Sequence, residues 1–205
     1  TTRHAQQDYN SVTRGGGNGD HKFIVLGPDS VQECYDLAQT AFYLADKYRQ
    51  PVIVLSDAIL GQMAEDLEMR TLEFGQLPAK DWAARGTAHK GGRYDFVSTL
   101  AAGWAPPWYT PFLAHIDEKY RTITENEIRF QTYQVDDADL VMVAYGSTAR
   151  MCLEIVHQAR EQGLKVGLFR PITLWPVPDK PLQKAALGVG QVLVVEDSPG
   201  ELVED

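Results

Sequence analysis

DADLVMVAYGSTARMCLEIVHQAREQGLKVGLFRPITLWPVP, residues 137–178, is the stretch on which the fold turns. Residues 140–145 form an apolar run short enough for a buried strand, and Gly146-Ser147-Thr148 closes it. Ala149, Cys152, Leu153, Val156 and Ala159 then recur at helical spacing. Ser147 or Thr148 can cap the helix start by accepting a bond from a free first-turn N–H, and Gly163 suits the position just past its end. Residues 165–169 read as a second strand, ending at a corner stiffened by Pro171, Pro176 and Pro178. The pattern predicts a βαβ unit, whose crossover is right-handed in nearly all proteins. Such a unit serves many functions, so it decides architecture and leaves the chemistry open.

A second unit of this kind lies upstream. Residues 23–26 predict a short strand, and Ser30-Val31-Gln32-Glu33 reads as a capping box with Glu33 reaching back. Val31, Cys34, Leu37, Ala41, Leu44 and Tyr48 give a helix to about residue 47, and Pro51 forbids its continuation. Residues 51–57, PVIVLSD, form a run continuous enough for a strand buried on both faces. Two strands and one helix leave a sheet face uncovered. No further strand pattern is legible before Leu140, so the missing strands are expected ahead of Thr1.

The remaining stretches are less regular. GGGNGD at 15–20 predicts a flexible turn, because a phosphate-cradling loop would lead into Lys-Ser or Lys-Thr and a helix, not His21-Lys22 and a strand. Residues 61–111 are broken repeatedly by Gly and Pro, yet Trp82, Trp104 and Trp108 predict packing against something. A helix is expected over 112–133, with the charges at 125–129 on a solvated face. Past residue 178 come a short helix over 179–187, a strand over 191–196 and a turn into a further helix start. The expected fold is α/β with open parallel sheets, both truncated, divided at 1–61, 62–136 and 137–205.

Composition narrows the function classes. A formal net charge of −9 over 205 residues argues against non-specific nucleic-acid binding, which needs a basic surface. No apolar run approaches the ~20 residues that span a bilayer, so no membrane association is expected. Cys34 and Cys152 each fall on the apolar face of a predicted helix and read as small buried hydrophobes. With two cysteines and no C-x-x-C, this chain alone cannot ligate a four-cysteine iron–sulfur cluster. The expected setting is cytoplasmic and reducing.

Ligands of open parallel sheets gather beyond the C-terminal strand ends. The residues there are Ser56, Asp57, Gly146-Ser147-Thr148, Arg170 and Glu196-Asp197-Ser198. Ser147-Thr148 can bind an anion or simply cap a helix; Arg170 can hold a phosphate or carboxylate, or form an ion pair at a domain edge. Asp57 is either site machinery or a cap for the turn that follows. The five histidines are scattered, without metal-binding spacing, and no G-x-S-x-G elbow is present. The residues by themselves define an α/β protein with no self-contained catalytic constellation.

Eight short stretches in register resemble one family: GGGNGD (15–20), SVQE (30–33), ADKYR (45–49), LGQM (60–63), ENEIR (125–129), AYGSTAR (144–150), RPITLWP (170–176) and VVE (194–196). Their order and spacing resemble the alpha-type subunit of the 2-oxoacid:ferredoxin oxidoreductases, most closely its 2-oxoisovalerate (branched-chain) members, with the 2-oxoglutarate members next. The resemblance implies the C-terminal part of a pyrimidine-side thiamine-binding domain, followed by a domain like the C-terminal domain of transketolase. It implies oxidative decarboxylation of a 2-oxoacid with thiamine diphosphate, acyl transfer to coenzyme A, and electrons passed through iron–sulfur clusters to ferredoxin. It also implies partners: a beta-type subunit holding the diphosphate and Mg²⁺, a gamma-type subunit, and a ferredoxin or iron–sulfur subunit. The family's Tyr-Pro-Ile-Thr-Pro motif, its cofactor-activating glutamate and its Arg-Gly-x-x-Gly stretch have no match here, so no catalytic residue is assigned and the isolated chain is expected to be inactive. Residues 1–9 follow that arginine loop in the family, which makes Gln6 and Asp8 the expected cofactor-bordering residues. The alternative is a non-catalytic assembly module of such a complex.

Overall fold

The structure is a computed structural model describing residues 4–15, 21–80 and 109–205. The GGGNGD turn beyond Gly15 and the tryptophan-bearing stretch at 81–108 fall outside the described residues. Among the described residues, seven strands form two open sheets. In the first, β1 (Ile24–Leu26) lies between β2 (Val52–Val54), parallel to it, and β6 (Thr173–Trp175), antiparallel. In the second the order is β3 (Phe130–Tyr133), β5 (Val166–Pro171), β4 (Leu140–Val143), β7 (Gln191–Val194), all parallel except β3.

Side-chain alternation along the strands sets the layers. Ile24 and Leu26 point to helices α2 (Val31–Tyr48) and α4 (Tyr109–Asn126), where they meet Leu37, Leu44 and Ile123. Val25, on the other face, joins Val141, Val143, Phe169 and Leu174 in a cluster shared by the two sheets. Met142 and Leu168 point away from that cluster toward Ala149, Cys152 and Val156 of α5 (Gly146–Glu161). The two sheets are therefore the inner layers and the helices the outer ones.

The opening unit forms as expected. α5 ends in a paired closure: Gly163, at φ +80°, donates its N–H to Arg160 O (3.0 Å), and Leu164 donates to Ala159 O (2.9 Å). That is the arrangement glycine favours just beyond a helix. The upstream helix is capped by Ser30, whose Oγ accepts from Glu33 N at 3.2 Å. Glu33 reaches back one residue further than expected, accepting from the Asp29 N–H (3.0 Å).

The first sheet takes a strand that no sequence pattern showed, and several expectations are corrected. The third strand of the first sheet is β6, delivered by the second half of the chain: β5 ends at Pro171, and after Ile172 the chain enters the other sheet. Ile172 fastens that crossing, donating to Arg129 O (2.9 Å) and accepting from Gly27 N (2.7 Å). Strand β2 is half-buried, because it lies at the sheet's edge and β1 holds the centre. The helix expected over 112–133 stops at Asn126, and residues 130–133 form β3. Cys152 is buried as expected, whereas Cys34 is only half-buried, its Sγ 3.9 Å from Ser56 Oγ.

The charges at 125–129 also behave differently from a solvated face. Glu127 is 3% exposed and accepts from Lys47 Nζ (2.7 Å), Tyr48 Oη (2.6 Å) and Arg129 Nη2 (3.0 Å). Burial opposes its ionisation, but those three donors outweigh it and hold the carboxyl below its ordinary range. Beyond α3 (Ala58–Gln62), residues 65–80 run along α2 without regular structure. The amide of Gln32 pairs with the backbone of Glu68, and that of Gln39 with Arg70 O and Leu72 N. Two glutamines two helical turns apart thus hold an extended segment by its peptide groups.

Candidate functional site

The C-terminal ends of β2, β4 and β7 converge on residues 4–8. Gly146, the first residue of α5, makes that close approach possible. Its φ is +62°, and a Cβ there would lie 3.0 Å from Asp57 Oδ2 and 3.2 Å from Gln6 Nε2. Asp57 follows β2 and serves two helices at once: Oδ1 accepts from Leu60 N (3.0 Å) and caps α3, while Oδ2 accepts from Ser147 N (2.9 Å) at the start of α5. Neither Ser147 nor Thr148 caps α5 through its side chain, contrary to expectation; a carboxylate 90 residues away in sequence does. Burial raises the Asp57 pKa, yet the N–H bonds from Leu60 and Ser147 prevail and hold it below its ordinary value.

Gln6 is 4% exposed, and both ends of its amide meet protein partners. Its Nε2 donates to Tyr145 O (3.1 Å), and its Oε1 accepts from Asp197 N (2.9 Å) and Thr148 Oγ1 (3.2 Å). Its backbone N–H also donates to Asp197 O at 2.7 Å. Asp8 is exposed, and its side chain makes no cap bond at the start of α1 (Tyr9–Thr13). Ala5, Gln6, Asp8, Leu55, Ser56, Asp57 and Tyr145 line a recess of about 30 Å³, room for one functional group. Two buried hydroxyls here, Tyr145 Oη and Ser147 Oγ, have no hydrogen-bond partner among the described residues. Burial, then the carboxylates of Glu196, Glu201, Asp57 and Asp8, push the Tyr145 phenol upward, so it stays a neutral O–H donor.

Among the other candidates, Asp197 joins this cluster and Arg170 and Glu196 do not. The Glu196 carboxylate accepts from the backbone N–H groups of Glu201, Leu202 and Val203 and closes the terminal turn. Arg170, 1% exposed, pairs with Asp29 and Glu33, its Nη2 2.7 Å from both Glu33 oxygens. It forms an ion pair, and a buried one, with residues of the first half of the chain. His4 had no role in the sequence reading; its Nε2 lies 3.3 Å from Asp197 Oδ2 and its Nδ1 3.7 Å from Asp57 Oδ1. The available signal was spacing, since residues two apart in an extended segment share a face and His4 precedes Gln6 by two.

The Arg170 pair carries a pH dependence. Burial and the neighbouring Asp29 carboxylate push Glu33 up to about 7 from its ordinary 4.5, against the pull of Arg170. The folded chain then holds more protons than the unfolded one between those values, so stability falls as pH rises through that window. Glu33→Gln is expected to flatten this slope, read as thermal midpoints at pH 5 and pH 7.5. An undiminished slope in the variant contradicts the assignment.

Residues 1–160 match the family described as pyruvate flavodoxin/ferredoxin oxidoreductase, thiamine diP-binding, and residues 138–205 match pyruvate:ferredoxin oxidoreductase core domain II. The chain belongs to this family of thiamine-binding oxidoreductases. It is 42% identical over 200 residues to ketoisovalerate oxidoreductase subunit VorB of Methanothermobacter marburgensis, covering 98% of this chain and 56% of that one. It is 31% identical to 2-oxoglutarate synthase subunit KorA of the same organism, covering 97% and 59%. A solved 2-oxoglutarate:ferredoxin oxidoreductase from Magnetococcus marinus, with 2-oxoglutarate, coenzyme A and succinyl-CoA bound, superimposes with a TM-score of 0.77 at 25% identity, covering 99% of this chain and 40% of that one. This chain thus spans little more than half the length of the two sequence relatives.

Proposed function

We propose that this chain supplies the pyrimidine-facing edge of a thiamine diphosphate site in a multi-subunit 2-oxoacid:ferredoxin oxidoreductase. The observation that carries this reading is the recess, which lies within the stretch that matches the thiamine-binding family. An exposed carboxylate, Asp8, stands at its rim, and Tyr145, which also lines it, carries a buried hydroxyl without a hydrogen-bond partner among the described residues. An aminopyrimidine ring presents both donors and acceptors, and this edge answers both: Asp8 accepts, and the neutral Tyr145 phenol donates. Gln6 shapes the edge and leaves the direct contacts to its neighbours. Bound thiamine diphosphate supplies the electron sink for loss of CO₂ from the 2-oxoacid.

The recess admits one functional group, so the remainder of the site is supplied from outside these residues. A beta-type subunit holds the diphosphate and Mg²⁺. A gamma-type subunit and a ferredoxin or iron–sulfur subunit complete a cytoplasmic complex that passes electrons to ferredoxin and the acyl group to coenzyme A. The substrate is a branched-chain 2-oxoacid such as 2-oxoisovalerate, a choice supported by 42% identity to the ketoisovalerate subunit against 31% to the 2-oxoglutarate one. Residues 1–61 carry most of the thiamine-facing part, 62–136 the connection, and 137–205 the transketolase-like part, whose Tyr145 completes that edge. Exposed Phe42 and Met69 (80% and 82%) favour a second reading, a non-catalytic assembly module.

One pair of measurements separates the two. The chain by itself is expected to show no 2-oxoisovalerate-dependent dye reduction with thiamine diphosphate, Mg²⁺ and coenzyme A. In the reconstituted complex, Asp8→Ala is expected to weaken thiamine diphosphate binding about tenfold, the effect of one lost charge-assisted hydrogen bond. Turnover by the chain alone, or unchanged affinity in the variant, contradicts the proposal; the second result favours the assembly module.

A further inference from the structure

We propose that Thr148, in the first turn of α5, is a positioning residue for the thiamine-facing segment and acts through the Gln6 amide. The inference rests on the reading that residues 4–8 border thiamine diphosphate. It starts from Gln6, which belongs to the first half of the chain but whose partners all belong to the second. Tyr145 O and the Asp197 N–H and C=O are peptide groups, available whatever side chains stand there. Thr148 Oγ1 is the one side-chain partner among them, so it is the contact a sequence change can tune.

Thr148 stands on a fixed element. The start of α5 is held by the bond from Ser147 N to Asp57, and the Gly146 turn is wedged between Asp57 Oδ2 and Gln6 Nε2. The hydroxyl is buried along with its residue, so its bond to Gln6 is sheltered from competing water. Two donors, Asp197 N–H and Thr148 O–H, face Gln6 Oε1, and one acceptor, Tyr145 O, faces Nε2. This pattern allows a single orientation of the amide. Asp8 lies two residues beyond Gln6 and lines the same recess, so a shift of the Gln6 side chain reaches it through one intervening residue. The tie couples the transketolase-like part to the cofactor-facing segment by a chain of direct contacts.

The test uses the reconstituted complex. Thr148→Val keeps the shape and removes the hydroxyl, and it is expected to weaken thiamine diphosphate affinity by about fivefold, the scale of one neutral hydrogen bond. Affinity is read by titration calorimetry, and the KM for thiamine diphosphate should rise with kcat little changed. Thr148→Ser restores the donor and should restore the affinity. Asp8→Ala serves as the reference for the segment itself. If Asp8→Ala weakens binding and Thr148→Val lowers the thermal midpoint without changing affinity, the threonine is purely structural and the inference is overturned. If Asp8→Ala and Thr148→Val both bind as the wild type does, the cofactor-bordering reading fails and takes the inference with it.

Discussion

Replacing Arg170 with methionine is expected to destabilise the folded chain by about 3 kcal/mol, the lower end for breaking a buried ion pair. The guanidinium is 1% exposed, and its two carboxylate partners, Asp29 and Glu33, come from the turn and first helical residues that follow β1. Methionine fills much of the volume but leaves two carboxylates facing each other across an apolar side chain. Asp29 and Glu33 retain about a fifth of their side-chain exposure, which keeps the cost from rising further. Adding Asp29→Asn and Glu33→Gln to Arg170→Met should recover part of the loss, because the two amides remove the charge that the single variant leaves without its cation. Chemical denaturation of the three forms checks this. A single variant as stable as the wild type would show that the pair contributes nothing.

Gln6→Ala is expected to cost about 3 kcal/mol as well. It strands two groups at once, the Thr148 hydroxyl and the Asp197 N–H, and leaves the Tyr145 carbonyl only its bond from Ala149 N–H; each unsatisfied buried group costs about 1–3 kcal/mol before water or relaxation recovers part of it. The loss should localise. Hydrogen exchange is expected to accelerate over residues 4–13 and at Asp197 while the centre of α5 keeps its protection. Uniform acceleration over the whole chain would mean that Gln6 is an ordinary core residue.

The βαβ reading of residues 140–169 held because its signals are local: an apolar strand, a helical period, a glycine just past the helix. What stayed hidden was held by partners distant in sequence. ENEIR looks like a solvated run until Lys47 and Tyr48 meet Glu127 some 80 residues away. Ser147 and Thr148 look like caps until Asp57 takes the helix start across 90 residues. β3 and β6 are short, and β3 alternates between exposed and half-buried residues, so neither offers the apolar run by which strands are found. The site divides the same way. Gln6 and Asp8 were reached through the family's motif order, but that one is a clamp and the other faces outward depends on Tyr145, Thr148 and Asp197. His4 carried no motif, and AYGSTAR marked Tyr145 for the family without giving it a place in the site.

The thiamine-facing edge is the central claim, and hydrogen exchange of the reconstituted complex, with and without thiamine diphosphate and Mg²⁺, tests it most directly. Slowed exchange at residues 4–8 and 55–57, with the exposed strand β7 unchanged, is the predicted result. Protection confined to the partner subunits, with residues 4–8 exchanging at the same rate in both states, would contradict it.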